Sequence, residues 1–158
     1  MNIQRENGKI MKRQIRKYIF ESNSSSVHTL VYSNDGRESS NFKLNKDGKI
    51  EVDFGEFGRD YCIYDSQYDK LSYLITCLYY LSGYEIDSIY DKWEFEKIEE
   101  AICSYTGATG IKILGQVEPY IDHQSVPDYD IEIINVFDED AVINFVFNKN
   151  IALRTDSD

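Results

Sequence analysis

SQYDKLSYLITCLYYLSG, residues 66–83, is the stretch whose reading decides the fold. Leu71, Leu74, Ile75, Leu78 and Leu81 recur at the i, i+3, i+4, i+7 spacing of one helix face. Ser66 with Asp69 three positions on resembles a capping box, and Gly83 is placed to end the helix. A second helix is expected just downstream. Ser88 with Asp91 repeats the start signal, Trp93, Phe95, Ile98, Ala101 and Ile102 supply an apolar face, and Gly107 closes it. Two helices joined by a short glycine-containing link are expected to pack side by side.

Upstream of the helices the apolar period shortens to two. IRKYIFE (15–21) is β-prone, and VHTLVYS (27–33) alternates Val27, Thr29 and Val31 against His28, Leu30 and Tyr32. Asn34-Asp35-Gly36 and Asn45-Lys46-Asp47-Gly48 are turn signals, and NFKL and KIEVDF read as further strands. FGEFGRD (54–60) reads as a strand end, with Arg59 a free cation in an acidic region. The first third is therefore expected to be antiparallel β. Downstream, TGATG (106–110) reads as a helix-to-strand turn, IKIL (111–114) as a short strand, and DYDIEI (128–133) as a half-buried strand. Asp138-Glu139-Asp140 is a favourable helix start. AVINFVFN is then a short helix, with a strand through INFVF as the alternative, and IALRT is a final edge strand. The class is α+β: N-terminal antiparallel strands, two central packed helices and a mixed β/α C-terminal part.

The 158 residues suit one domain with a real hydrophobic core. With 42% hydrophobic residues, 13 Tyr and 8 Phe, the chain is no disordered acidic tail. Residues 1–10 show no periodicity and read as a flexible leader, with Met11 a candidate natural start and 11–158 a single domain. The N-terminal charges precede no apolar run, so neither a signal peptide nor an anchor is expected. The apolar stretch inside the first helix is too short to span a bilayer, which takes about 20 residues. No membrane association is expected. Cys62, Cys77 and Cys103 are odd in number and form no CxxC pair, which indicates neither a zinc site nor a disulfide framework and fits a reducing cytoplasm.

The charge is uneven. Residues 1–17 carry +5, so the remainder of a chain with formal charge −11 carries −16. An acidic body repels free nucleic acid, since binding phosphates needs compensating Lys and Arg. It can instead attract a basic surface, including the nucleic-acid channel of another protein. Acidity that merely keeps a small protein soluble would give the same composition.

Two polar loops hold the chain's two histidines. In ESNSSSVHTL, Glu21, Asn23, Ser24, Ser25 and Ser26 are candidate ligand-binding residues, because consecutive N–H groups with short polar side chains can cradle an anion. A plain turn between two strands explains the same composition. In PYIDHQSVPDYD, Asp122, His123 and Ser125 place acid, imidazole and hydroxyl together between Pro119 and Pro127. His28 and His123 facing one pocket would allow one to take a proton and the other to give it, with Asp122 and Ser125 in support. His123-Gln124-Ser125 fits the H-x-[ST] motif of two-histidine phosphoesterases, whereas His28-Thr29-Leu30 does not. A metal held by His28, His123, Asp122 and Glu21 is chemically possible, but the spacing predicts none, and no cofactor is indicated. Asp128, Asp130 and Glu132 project from one face of the expected strand, either as a solvated face or as carboxylates offered to a basic partner.

KRQIRKYIFESNSSSVHTL resembles the opening of a family of small proteins encoded by phages and mobile elements of Firmicutes, whose pattern runs close to R-x-x-x-F-E-T-N-S-S-S-T-H-S. Phe20, Glu21, Asn23, Ser24, Ser25, Ser26 and His28 match it, while Ser22, Val27 and Thr29 depart. The similarity continues in FGEFGRD, KLSYLITCLYYL, YIDHQS and the FVFN-plus-strand ending, and it places the usual start at Met11. The resemblance implies a setting rather than a reaction: a phage-type accessory protein in the host cytoplasm. Together with the acidic body it implies a counter-defence, anti-CRISPR-like inhibitor that occupies the basic groove of a host nucleic-acid-handling protein. The alternative is a small enzyme or nucleotide-binding protein using the two histidine loops.

Overall fold

A computed structural model of the chain describes residues 3–6, 9–12, 15–16, 26–31 and 35–156. The elements in chain order are β1 (Ile3–Glu6), β2 (Lys9–Lys12), β3 (Ile15–Arg16), β4 (Ser26–Val31), β5 (Lys49–Val52), β6 (Glu56–Phe57) and β7 (Cys62–Tyr64). Then follow α1 (Gln67–Leu81), α2 (Ile86–Tyr90), α3 (Trp93–Thr106), β8 (Gly110–Ile113), β9 (Tyr120–Ile121), α4 (Glu139–Phe147) and β10 (Ile151–Asp156). The class is α+β, with strands at the N-terminus and helices at the centre.

Helix α1 is the spine. Ser66 caps it by accepting the Asp69 N–H at 3.0 Å, and Gly83 follows its end at φ 70°. Leu71, Leu74, Ile75 and Leu78 are buried, but so are Gln67, Lys70, Ser72 and Thr76. A helix buried nearly all round needs partners for its polar residues. A hydroxyl stripe at i, i+4, i+8 supplies one set. Tyr68 OH accepts the Asp53 N–H at 3.0 Å, Ser72 Oγ donates to the Asp53 carbonyl at 2.7 Å, and Thr76 Oγ1 accepts the Gly55 N–H at 3.1 Å. The stripe holds the backbone kink between β5 and β6. Helix α3 ends at Gly107, left-handed at φ 80°, and α4 is capped by Asp138, whose Oδ1 accepts from Asp140 N at 3.0 Å and Ala141 N at 3.4 Å. The expected helix through AVINFVFN forms, and the alternative strand through INFVF does not.

Four strands run antiparallel in the order β3-β4-β10-β7, with Arg154 opposite both His28 and Ile63. IALRT is thus an inner strand and not the expected edge. Ile151, Leu153 and Thr155 are buried on one face, and that alternation needs cover that an edge position would not give. KIEVDF does form a strand, but β5 pairs parallel with β8, Ile50 opposite Ile111, and β6 continues the pattern with β9. The expectation of purely antiparallel strands in the first third is corrected to that extent. The parallel partner arrives only after the α1–α3 crossover, which a parallel pair requires. NFKL forms no strand beyond an isolated bridge from Leu44 to Ile50. Residues 3–6 pair antiparallel with 9–12, Ile3 opposite Lys12 and Gln4 opposite Met11.

DYDIEI is not a strand. Asp128, Asp130 and Glu132 are exposed while Ile131 and Ile133 are buried, but residues 122–138 are irregular, joining β9 to α4. Alternate residues pack on the core without a neighbouring ladder. Arg59 is no free cation: its Nε lies 3.6 Å from Glu56 Oε2 and its guanidinium stacks 3.9 Å over the Tyr120 ring.

Candidate functional site

The DHQS loop starts where β9 ends. The Asp122 N–H donates to the Phe57 carbonyl at 2.9 Å, and the Asp122 side chain is buried. Its Oδ2 accepts the Gln124 N–H at 3.3 Å and its backbone carbonyl accepts the Ser125 N–H at 2.7 Å, the turn geometry that short polar side chains favour. Gly58 makes room for it. Its φ is 98°, and a Cβ there would stand 2.6 Å from Asp122 Cβ. Gly58→Ala should therefore cost about 2 kcal/mol in urea denaturation, combining left-handed strain with a forced shift of this loop.

From that turn the three candidate side chains diverge. His123 points into solvent, 77% exposed, with Nδ1 at 3.3 Å from Asp122 Oδ1. Ser125 points inward, and its hydroxyl has no hydrogen-bond partner among the described residues. It reaches a cavity of about 10 Å³ lined by Val27, Tyr73, Cys77, Ser125, Pro127, Glu132 and Ile133. That volume suits about one water. Burial pushes the Cys77 thiol up to about 12, so the nearest sulfur is a neutral thiol and no nucleophile at ordinary pH.

Val27 brings the strand that leaves the serine loop to this same cavity. His28, the next residue, stands on the other face of β4, because successive side chains alternate. There its Nε2 lies 3.3 Å from Asp156 Oδ2, and Arg154 Nη2 lies 3.2 Å from Asp156 Oδ1. Each histidine thus has its own carboxylate. The structure brings Ser125 and Val27 together and keeps the His28 ring on the opposite side of the sheet, so the expected single pocket for both histidines is not the arrangement described. His123 is mostly exposed, and His123→Ala should change thermal stability by less than about 0.5 kcal/mol.

Of the candidate ligand-binding residues, Glu21, Asn23, Ser24 and Ser25 lie outside the described residues. Ser26 opens β4, its backbone opposite Asp156. No group of three or more His, Cys, Asp or Glu side chains is placed to hold a metal among the described residues. No helix among them is long and apolar enough to cross a membrane. The exposed carboxylates of Asp128, Asp130 and Glu132 are joined by those of Asp138, the cap of α4, and of Glu139 and Asp140 in its first turn. Tyr129 protrudes between Asp128 and Asp130, 93% exposed.

Sequence reasoning missed a surface feature and two buried ones. On the surface, Trp93 and Phe137 form an edge-to-face pair with ring centroids 5.8 Å apart, and both are exposed. Inside, Asp53 accepts backbone N–H bonds from Phe54, Gln116 and Val117, and Lys70 donates to two carbonyls. Lys70 falls four residues before Leu74 on the apolar stripe, which marks it as inward-facing. Comparison of the chain with protein-family models, with curated proteins and with solved structures gives no match.

Proposed function

We propose that the chain is an accessory protein of a phage or mobile element that acts in the host cytoplasm by protein contact, laying an acidic face on the basic nucleic-acid-binding surface of a host protein. Inhibition follows from occupying that surface, as a counter-defence protein would. The observation that carries this reading is the stretch from Asp128 to Asp140, irregular to Asp138 and then the first turn of α4. It presents six exposed carboxylates with Tyr129 and Phe137 projecting among them, while its isoleucines anchor it to the core. Charged residues at a rim steer encounter and protruding aromatics supply contact energy once docked. The −16 carried by residues beyond the first 17 adds a long-range field of the same sign. No direct nucleic-acid binding is part of this reading.

Replacing Asp128 and Asp130 by Asn and Glu132 by Gln tests it. The triple variant should fold normally and lose inhibition of the host system by tenfold or more, about 1.4 kcal/mol. Full retention of inhibition would remove the acidic segment from the mechanism. The same assay separates the small-enzyme alternative, which requires His28, Asp122, His123 and Ser125 and is lost in a His28→Ala, His123→Ala double variant that leaves protein contact intact.

A further inference from the structure

The most unusual part of the surface is the Trp93–Phe137 pair. Trp93 is the chain's single tryptophan, and it is 64% exposed at the first turn of α3, with Phe137 47% exposed against it. A groove of about 130 Å³ runs behind the pair, lined by Lys97, Glu100, Ala101, Val136, Phe137 and Glu139. On α3 the positions i+3, i+4 and i+7 from Trp93 are Glu96, Lys97 and Glu100, which therefore share its stripe. Lys97 is already engaged, its Nζ 3.2 Å from Glu100 Oε2, and Asp140 is held by Arg37 at 2.7 Å. Glu96 and Glu139 are exposed and make no ion pair among the described residues.

We infer that this face is a docking site for an arginine-bearing basic segment of the partner protein. The inference rests on the contact reading above and narrows it to a site and a side chain. An aromatic face exposed to water beside carboxylates is the complement of a guanidinium, which is planar, weakly hydrated and able to stack on an indole while its edge bonds a carboxylate. An ammonium group satisfies the charge but gains less from the ring. The groove provides apolar wall, Ala101 and Val136, for the methylene stem of the arginine or a neighbouring residue.

The test uses fluorescein-labelled nona-arginine and nona-lysine, read by anisotropy at 100 mM salt against the full chain, with Trp93 fluorescence as a second signal. Nona-arginine should bind about tenfold tighter than nona-lysine and quench Trp93. Trp93→Leu, whose melting temperature should be unchanged, should erase the preference for arginine, and Phe137→Leu should reduce it. Glu96→Gln with Glu139→Gln should weaken both peptides. Equal binding of the two peptides, or an unaltered preference in Trp93→Leu, overturns the site while leaving the acidic-surface reading standing. Failure of both peptides to bind overturns the site and the acidic-surface reading together. Concentration-dependent dimerisation that Trp93→Leu abolishes would assign the patch to a second copy of this chain and overturn the partner site.

Discussion

Asp53→Ala should lower the unfolding free energy by about 3 kcal/mol, the largest loss expected from truncating one carboxylate in this chain. Asp53 is 6% exposed and serves as a backbone acceptor. Its Oδ1 takes N–H bonds from Phe54 at 2.8 Å, Gln116 at 3.0 Å and Val117 at 3.1 Å, and its Oδ2 takes a second from Gln116 at 3.1 Å. These bonds tie the kink after β5 to the segment after β8, so one side chain holds two parallel pairs in line. Removing it strands three donors, of which the Phe54 N–H is buried while Gln116 and Val117 are exposed residues. Charge-assisted bonds of this kind contribute about 1.5–3 kcal/mol each before the rehydration that offsets part of the loss. Asp53→Asn keeps an acceptor oxygen and should cost about 1 kcal/mol. Urea midpoints measured for both variants, with an unchanged slope, check the order.

Lys70 gives the second large effect, read as a pH profile. It is 1% exposed, and its Nζ donates to the carbonyls of Asn148 at 2.9 Å and Ile151 at 3.0 Å, closing the turn between α4 and β10. Burial lowers its pKa from 10.5 to about 8, opposed by the nearby charges of Asp65 and Glu38. Below about pH 8 the folded lysine is charged and carries the full desolvation cost. Between about 8 and 10.5 the folded side chain gives up its proton while the unfolded chain still binds one, so stability rises with pH. Cys77 works in the opposite sense. Burial raises its thiol from 9.0 to about 12, so its stabilising contribution is complete below pH 9.0 and is lost as pH climbs through that window. Tyr64, raised from 10.0 to about 12 by burial and the neighbouring Cys62, adds to the fall. Stability should therefore increase from about pH 8, level off near pH 9 where the lysine and Cys77 contributions cancel, and decline above about pH 10. Lys70→Met should be flat from pH 8 to 9 and decline from there. A wild-type profile without the rise would contradict the buried, lowered lysine. Lys70→Ala loses the packed stem as well as the bonds, and should cost about 3 kcal/mol at pH 7.

Legibility in the sequence followed locality. The start of α1 at Ser66 and the end of α3 at Gly107 are written in a few adjacent residues, and both are found where the spacing puts them. Pairing is not local. KIEVDF announces a strand, but nothing within it names β8, some 60 residues on, as a parallel partner. DYDIEI misleads for a related reason: burial at every second residue is necessary for a half-buried strand and also arises where an irregular segment rests on a core. The spacing puts Trp93 on the apolar face of its helix, yet it sits exposed at the first position of α3. Of the site residues, Asp122 and His123 do touch, because they are neighbours in sequence. The joint pocket for His28 required knowing which face of β4 meets the Ser125 loop, and Val27 took that face while His28 is buried on the other.

In the proposed function, the acidic surface competes with nucleic acid for the basic surface of a host protein. The direct measurement is capture of host cytoplasmic proteins on the immobilised chain at low salt, followed by elution with double-stranded DNA. Bound proteins should be nucleic-acid-handling ones, should leave when DNA is added, and should leave equally at about 0.5 M salt, where the screening length falls to a few ångströms. Proteins that stay bound through both washes, or a chain that itself binds the added DNA, would contradict it.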